Sequence, residues 1–441
     1  MKSNSYLSQS NSLKYVQKFG PSLEKNVKNA LGWESGRVVY YENESIKYDL
    51  QVDCCYPNVN NPEVFVSVTY CKPDKPGHSN ENKLQLKLGE LMLLKGKYPN
   101  IKAVLVIGGN KNTWLPYVLE AFKYFYDKVI YAWEENFEDE ILKIKQDPSS
   151  IEIRHQDVWR KLYEEWQTIE LYKGEPIDSY LRNDMWEHIK SIGCEGELPE
   201  DISNEIFKHC MTEAHKLSLR TRNKSGKEWT HYQREDWDKL WESRSYFNPA
   251  EAAIELLLKK YKLAYKGGLA KDEDVPSLIH HLNKVHDDIP VDNTKVGEDF
   301  ILFSKKENKP VFIQSKSTGG GRDRHGKNIQ NRTKEQLARS LFYRGTIQDG
   351  NIVLRPKDYI WIGILDGDWG VTKKTPLKYI HMLQWAGYDY LFAADSLVDE
   401  ELNLTESDFI KKLLELECVT DQTELEERWR DWMASRGYQV D

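Results

Sequence analysis

VGEDFILFSKKENKPVFIQSKST, residues 296–318, spells two short strands and the polar turn between them. Ile301, Leu302 and Phe303 form one apolar run, Ser304 to Pro310 the turn, and Val311 to Ile313 the returning strand. Asp299 heads the first strand. Gln314 and Lys316 end the second, two residues apart and so on one face of it. Closing the hairpin brings a carboxylate, an amide carbonyl and an ammonium to one strand end. Oxygen donors from Asp and Gln suit a hard cation such as Mg²⁺, which keeps several waters and takes one or two protein carboxylates. A lysine beside such a cation stabilises charge developing on a phosphate, or helps to deprotonate an attacking water.

The surroundings extend the pattern. Upstream, Asn248-Pro249 opens a helix, AEAAIELLLKKYKLAY, in which Glu251 and Glu255 stand four apart on one face. Downstream come GGGRDRHGKNIQNR, a helix TKEQLARSLFYRG, a strand DYIWIGILDGD, a helix PLKYIHMLQWAGYD and a strand YLFAADSL. This order, with Asp299 and Gln314-Ser315-Lys316 on the hairpin, resembles the PD-(D/E)xK nuclease superfamily, and type II restriction endonucleases in particular. Gln314 stands where that motif has an acid, which removes one charge from the site. The resemblance implies a Mg²⁺-dependent deoxyribonuclease with Asp299, Gln314 and Lys316 as catalytic residues and a glutamate of the preceding helix, Glu255 in preference to Glu251, completing the metal ligands Asp299, Gln314 and Glu255.

Residues 1–135 repeat the order of elements. A helix, NSLKYVQKFGPSLEKNVKNALG, precedes the strand GRVVYYEN and the hairpin SIKYDLQVDCCYP/EVFVSVTYCK. A helix, a strand IKAVLVIGG, a helix and a strand KVIYAWEE follow. Asp49 or Asp53 stands where the motif Asp belongs, and Ser67-Val68-Thr69 where the acid-x-Lys triplet belongs. The expected architecture is therefore α/β, with two nuclease-like cores, each a central mixed sheet flanked by helices. Residues 1–135 would be a degenerate copy, 136–245 a helical region joining the cores, and 246–441 the catalytic domain.

With 441 residues, 39% hydrophobic and 30% charged, the chain has the composition of an ordinary globular protein. It holds no apolar run near the ~20 residues of a membrane helix, and its polar start does not read as a signal peptide. Six cysteines with no C-x-x-C argue against a disulfide framework and a structural zinc. The expected location is the cytoplasm. The net charge of -8 conceals its distribution. Residues 319–344 carry seven Lys/Arg against two acids and residues 214–234 six against one, each a net +5, whereas residues 395–427 carry a net -10. Two basic stretches on an acidic chain suit selective contact with double-stranded DNA. In the first, Arg322, Arg324, Lys327 and Arg332 supply charge, and Asn328 and Gln330 can read base edges. In the second, Arg220, Arg222, Lys224 and Lys227 precede Trp229 and Tyr232. GGGRDRHG lacks the spacing of a phosphate-binding loop for ATP. One active centre per chain would require a homodimer or two successive events to cut both strands, and a restriction enzyme implies a cognate DNA methyltransferase. The alternatives are a repair or recombination nuclease, and a non-catalytic DNA-binding protein with two degenerate nuclease folds.

Overall fold

Alternating burial along the chain builds the first sheet. Lys47–Pro57 (β2) buries Tyr48, Leu50 and Val52 at a spacing of two, the period of a strand. The computed structural model describes residues 13–71, 78–192, 200, 202–214, 248–269, 273–275, 277–279, 296–318, 327–369 and 377–438. In it, β2 lies between Glu34–Glu42 (β1) and Pro62–Tyr70 (β3), antiparallel to both. Helix His78–Lys97 (α2) then carries the chain to Lys102–Gly108 (β4), parallel to β3. Helix Pro116–Phe125 (α3) leads on to Lys128–Tyr131 (β5), parallel to β4. β4 is buried along nearly its whole length, as a central strand covered on both faces should be.

The second sheet follows the same plan. Lys266–Gly267 (β7) and Phe300–Ser304 (β10) pair antiparallel, as do β10 and Lys309–Ser317 (β11), while Glu273–Val275 (β8) and Val296–Glu298 (β9) form a separate antiparallel pair. Ile360–Asp368 (β14) lies parallel to β11, and Tyr390–Ala393 (β15) parallel to β14. Helix Lys327–Arg344 (α8) connects β11 towards β14, and Lys378–Ala386 (α9) joins β14 to β15. Both sheets are thus two antiparallel pairings followed by two parallel ones. The chain is α/β, with mixed sheets flanked by helices.

The halves share one core. On the first sheet Phe65, Leu105 and Ile107 face inward, and on the second Ile301, Phe312 and Trp361 do so. All belong to a single apolar cluster with α2 and α8 between them. The opposite faces have cores of their own. Val64, Val66, Val104 and Val106 pack with Leu13–Leu31 (α1) and Phe137–Gln146 (α4), while Phe300, Leu302, Val311 and Ile313 pack with Leu181–Ile192 (α6) and Pro249–Lys260 (α7). The described part of the middle region is divided between the halves. α4 joins the first, and α6 the second. Asp178–Ser179 (β6) pairs with the end of β14. Gln156–Thr168 (α5) packs on α2 and reaches across: the Trp166 indole donates to Trp385 O at 3.0 Å, and Arg344 grips Glu165 at 2.6 and 2.9 Å.

Elements outside the expected order also appear. Gly345–Gln348 (β12) and Asn351–Leu354 (β13) form a hairpin whose turn, Asp349-Gly350, has φ of 50° and 76°, the left-handed pair that a two-residue turn demands. The acidic C-terminal stretch folds into helices Asp408–Glu415 (α10) and Gln422–Ser435 (α11), whose buried Trp429 and Trp432 pack on Phe312. Among the described residues no helix is long and apolar enough to cross a membrane.

Candidate active site

Gly267 makes the close approach at the head of β10 possible. Its φ is +83°, and a Cβ there would lie 2.6 Å from the Asp299 carbonyl oxygen. Next to it, Gly268 N–H donates to that same oxygen at 2.8 Å. Asp299, buried, turns its carboxylate across the hairpin, where Oδ2 accepts the Ser315 N–H at 2.5 Å.

Gln314 and Lys316 share the face of β11 that looks towards α8, two residues apart as the strand period requires. Gln314 is 1% exposed. Its amide is satisfied in one orientation: the carbonyl accepts from Lys316 Nζ at 2.9 Å and Arg339 Nη1 at 2.5 Å, and the NH₂ donates to Gln336 Oε1 at 2.8 Å and the Tyr388 hydroxyl at 3.2 Å. The reverse orientation would aim an NH₂ at two cations. Burial, then the Arg339 guanidinium, bring the Lys316 ammonium down to about 8, against the pull of Asp299.

Several groups that the sequence reading passed over complete the cluster. Glu298 is fully buried, accepts from the Tyr343 hydroxyl and from Trp361 Nε1 at 3.2 Å, and lies 3.6 Å from Arg339. Burial pushes its carboxyl up to about 7, with Arg339 and Tyr343 opposing. Arg339 also donates to Gly297 O at 2.7 Å. For the members on α8 the signal was present: Gln336, Arg339 and Tyr343, spaced three and four apart, form one polar stripe on a helix buried at Leu337, Ala338, Leu341 and Phe342.

Glu255 points elsewhere. Its carboxylate accepts from the Tyr265 hydroxyl at 2.9 Å and Leu269 N–H at 3.2 Å, and pairs with Lys259 at 2.9 Å. It braces the loop that carries Gly268, and no described contact joins it to Asp299, Gln314 or Lys316. The start of α7 is nearer the hairpin: Asn248, the N-cap, accepts from Glu251 N–H and from Ser315 Oγ, both at 3.4 Å. Of the expected DNA contacts, Arg332 is half-buried and paired with Glu335 at 3.1 Å, and Gln330 is half-buried on α8. Arg220, Arg222, Lys224, Lys227, Arg322 and Arg324, and the side chains of Lys327 and Asn328, lie outside the described residues.

The first half has a charged centre at the matching place. Asp53 Oδ2 accepts the Val68 N–H at 2.7 Å, as Asp299 does that of Ser315, so Ser67 matches Gln314 and Thr69 matches Lys316. Asp53 has charged neighbours from two helices. Its carboxylate interacts with Glu24 of α1 and Lys87 of α2. Ser67 Oγ accepts from Lys87 Nζ at 2.7 Å, and Lys87 pairs with Glu90 at 2.9 Å. Glu90 reaches across the helix seam to Lys334 at 2.8 Å. Asp49 instead pairs at the surface with Arg37.

Among the described residues no three His, Cys, Asp or Glu side chains converge to hold a metal ion. The donor set at the second-half site suits a hard cation through Asp299, whereas the Gln314 oxygen already faces two cations. Comparison with known proteins finds no matching family model, no matching curated protein and no matching solved structure.

Proposed function

We propose that the chain is a Mg²⁺-dependent endonuclease for double-stranded DNA, of the type II restriction kind, with its working centre in the second half. One observation carries the reading: Asp299, tied to Ser315 N–H, and Lys316, lowered to about 8, meet at one strand end of a mixed sheet. A carboxylate and a lysine there suit phosphodiester hydrolysis. Asp299 would hold the ion, which supplies Lewis-acid charge to the phosphate. Lys316 Nζ presents its proton and charge to an oxygen of the reacting phosphate, and the Ser315 N–H fixes the direction of the Asp299 carboxylate. Arg220, Arg222, Lys224, Lys227, Arg322, Arg324 and Lys327 would grip the backbone. On this reading the protein works in the cytoplasm beside a methyltransferase that protects host DNA, and two copies act together to cut both strands.

Incubation with plasmid DNA and Mg²⁺, with EDTA as the control, tests this. Discrete fragments that vanish with EDTA are expected, and smearing or nicking alone would move the reading to a repair or recombination nuclease. The Gln314 oxygen facing Lys316 and Arg339 favours a second reading, a DNA-binding protein with two inactive nuclease-like halves. A gel shift with no cleavage under any divalent ion would establish that one instead.

A further inference from the structure

Gln314 stands at the strand position where the resemblance implies a metal ligand, and its neighbours give it another task. All four hydrogen-bonding directions of its amide are in use: Lys316 and Arg339 on the oxygen, Gln336 and Tyr388 on the nitrogen. Arg339 is itself held by Gly297 O at 2.7 Å and faces Glu298 at 3.6 Å, so it is not a loose side chain that could swing aside. A metal ion approaching the Gln314 oxygen would meet two cations directed at the same atom in a buried setting, where like charges repel strongly. Turning the amide over would forfeit its bonds to Lys316 and Arg339 and set an NH₂ against both cations.

The first half repeats the arrangement with different residues. Ser67 occupies the matching position, and its hydroxyl accepts from Lys87 Nζ at 2.7 Å. There the lysine comes from α2 and not from the strand, yet it meets the same position. In both halves an uncharged side-chain oxygen holds a lysine ammonium.

We infer that Gln314 is a positioning residue for Lys316 and not a metal ligand: its carbonyl, shared with Arg339, fixes where the Lys316 ammonium sits, and the cation is left to Asp299. This assignment rests on the endonuclease reading. It gives the Gln in place of an acid a positive purpose, because a carboxylate there would bind Lys316 and Arg339 as a full ion pair and lose the two donations to Gln336 and Tyr388.

The test uses Mn²⁺ as the probe and the full-length chain. Free Mn²⁺ is counted by electron spin resonance during titration of the wild type, Asp299→Asn and Gln314→Met, each verified as folded by its thermal transition. Asp299→Asn is expected to lose affinity tenfold or more, and Gln314→Met to stay within twofold of the wild type. In plasmid cleavage Gln314→Met should lose at least tenfold in turnover, with the Mg²⁺ concentration for half-maximal rate unchanged. A tenfold loss of Mn²⁺ affinity in Gln314→Met would overturn the inference. A wild type that takes up no Mn²⁺ and cuts no DNA would overturn the endonuclease reading and this assignment with it; the first failure shows only in the variant, the second in the wild type. If Gln314→Met does not fold, wild-type crystals soaked in Mn²⁺ decide by anomalous scattering: an ion within about 2.5 Å of the Gln314 oxygen refutes the assignment, and one beyond about 4 Å supports it.

Discussion

A lysine at about 8 and a buried glutamate at about 7 sit within one cluster at the end of β11. Such displaced groups gather where charge must be handled during a reaction. Asp299→Ala and Lys316→Ala are therefore expected to slow single-turnover plasmid cleavage by roughly 100-fold or more while DNA affinity by fluorescence anisotropy changes little, because metal holding and charge stabilisation act mainly in the transition state. Wild-type rates in either variant would rule out the assignment. Glu90 makes a separate prediction about stability. Burial works against its carboxylate, but Lys334 and Lys87 outweigh it and hold it down at about 2. A carboxyl lowered in the folded state stabilises above its unfolded value of about 4.5, and that contribution drains away as pH falls from there towards 2. Glu90→Gln should cost about 3 kcal/mol at pH 7, since it takes the partner carboxylate from Lys334 and the nearest of the acids around Lys87. In urea unfolding the gap between wild type and variant should narrow below pH 4.5. A constant gap down to pH 3 would contradict the ion-pair account.

At the scale of elements, the seam between α2 and α8 is the decisive contact. Gly89 faces the Lys334 backbone so closely that a Cβ would overlap its carbonyl oxygen. The absence of a side chain is what lets the two helices meet and Glu90 reach Lys334. Gly89→Ala would gain up to about 1 kcal/mol of helix propensity, yet forcing the helices apart typically costs about 1–3 kcal/mol. The expected result is a lower urea midpoint with an unchanged slope, and a higher midpoint would mean that the seam has room to spare. The same seam binds the polar stripe of α8 to the site, since Gln336, Arg339 and Tyr343 lie on the helix that α2 presses against the second sheet.

For the whole molecule, one core passes through both halves. Leu88, Leu91 and Leu105 from the first half and Leu337, Leu341 and Trp361 from the second are members of one buried cluster. Residues 246–441 expressed alone would expose that surface to water, and apolar area on this scale drives association. The isolated segment is expected to aggregate, or to melt without a cooperative transition, in sedimentation and calorimetry. A monomer with a sharp transition would instead mark the second half as an independent domain. The tyrosine and histidine at the interface tie the halves by polar contacts as well: Tyr48 OH meets His381 Nδ1 at 2.8 Å, and His381 Nε2 meets Tyr172 O at 2.8 Å.

The sequence by itself determined the order of the core elements in both halves, the hairpin around Asp299 and the shared face of Gln314 and Lys316. These rest on periods of two and 3.6 residues and on turn chemistry, all written in neighbouring positions. The β12/β13 hairpin was equally legible through Asp349-Gly350, a signal that the reading passed over. Only the tertiary structure decided the rest. Glu251 and Glu255 stand one helical turn apart, so periodicity could not tell which would brace the Gly268 loop and which would lie beside Asn248. The amide of Gln314 took its orientation from Arg339, and Ser67 took its lysine from α2. Each of those contacts joins residues far apart in the chain. Which polar side chains meet is fixed by how helices are pressed onto sheets and onto each other, and at the seam of α2 and α8 a single glycine against a carbonyl, Gly89, allows that approach.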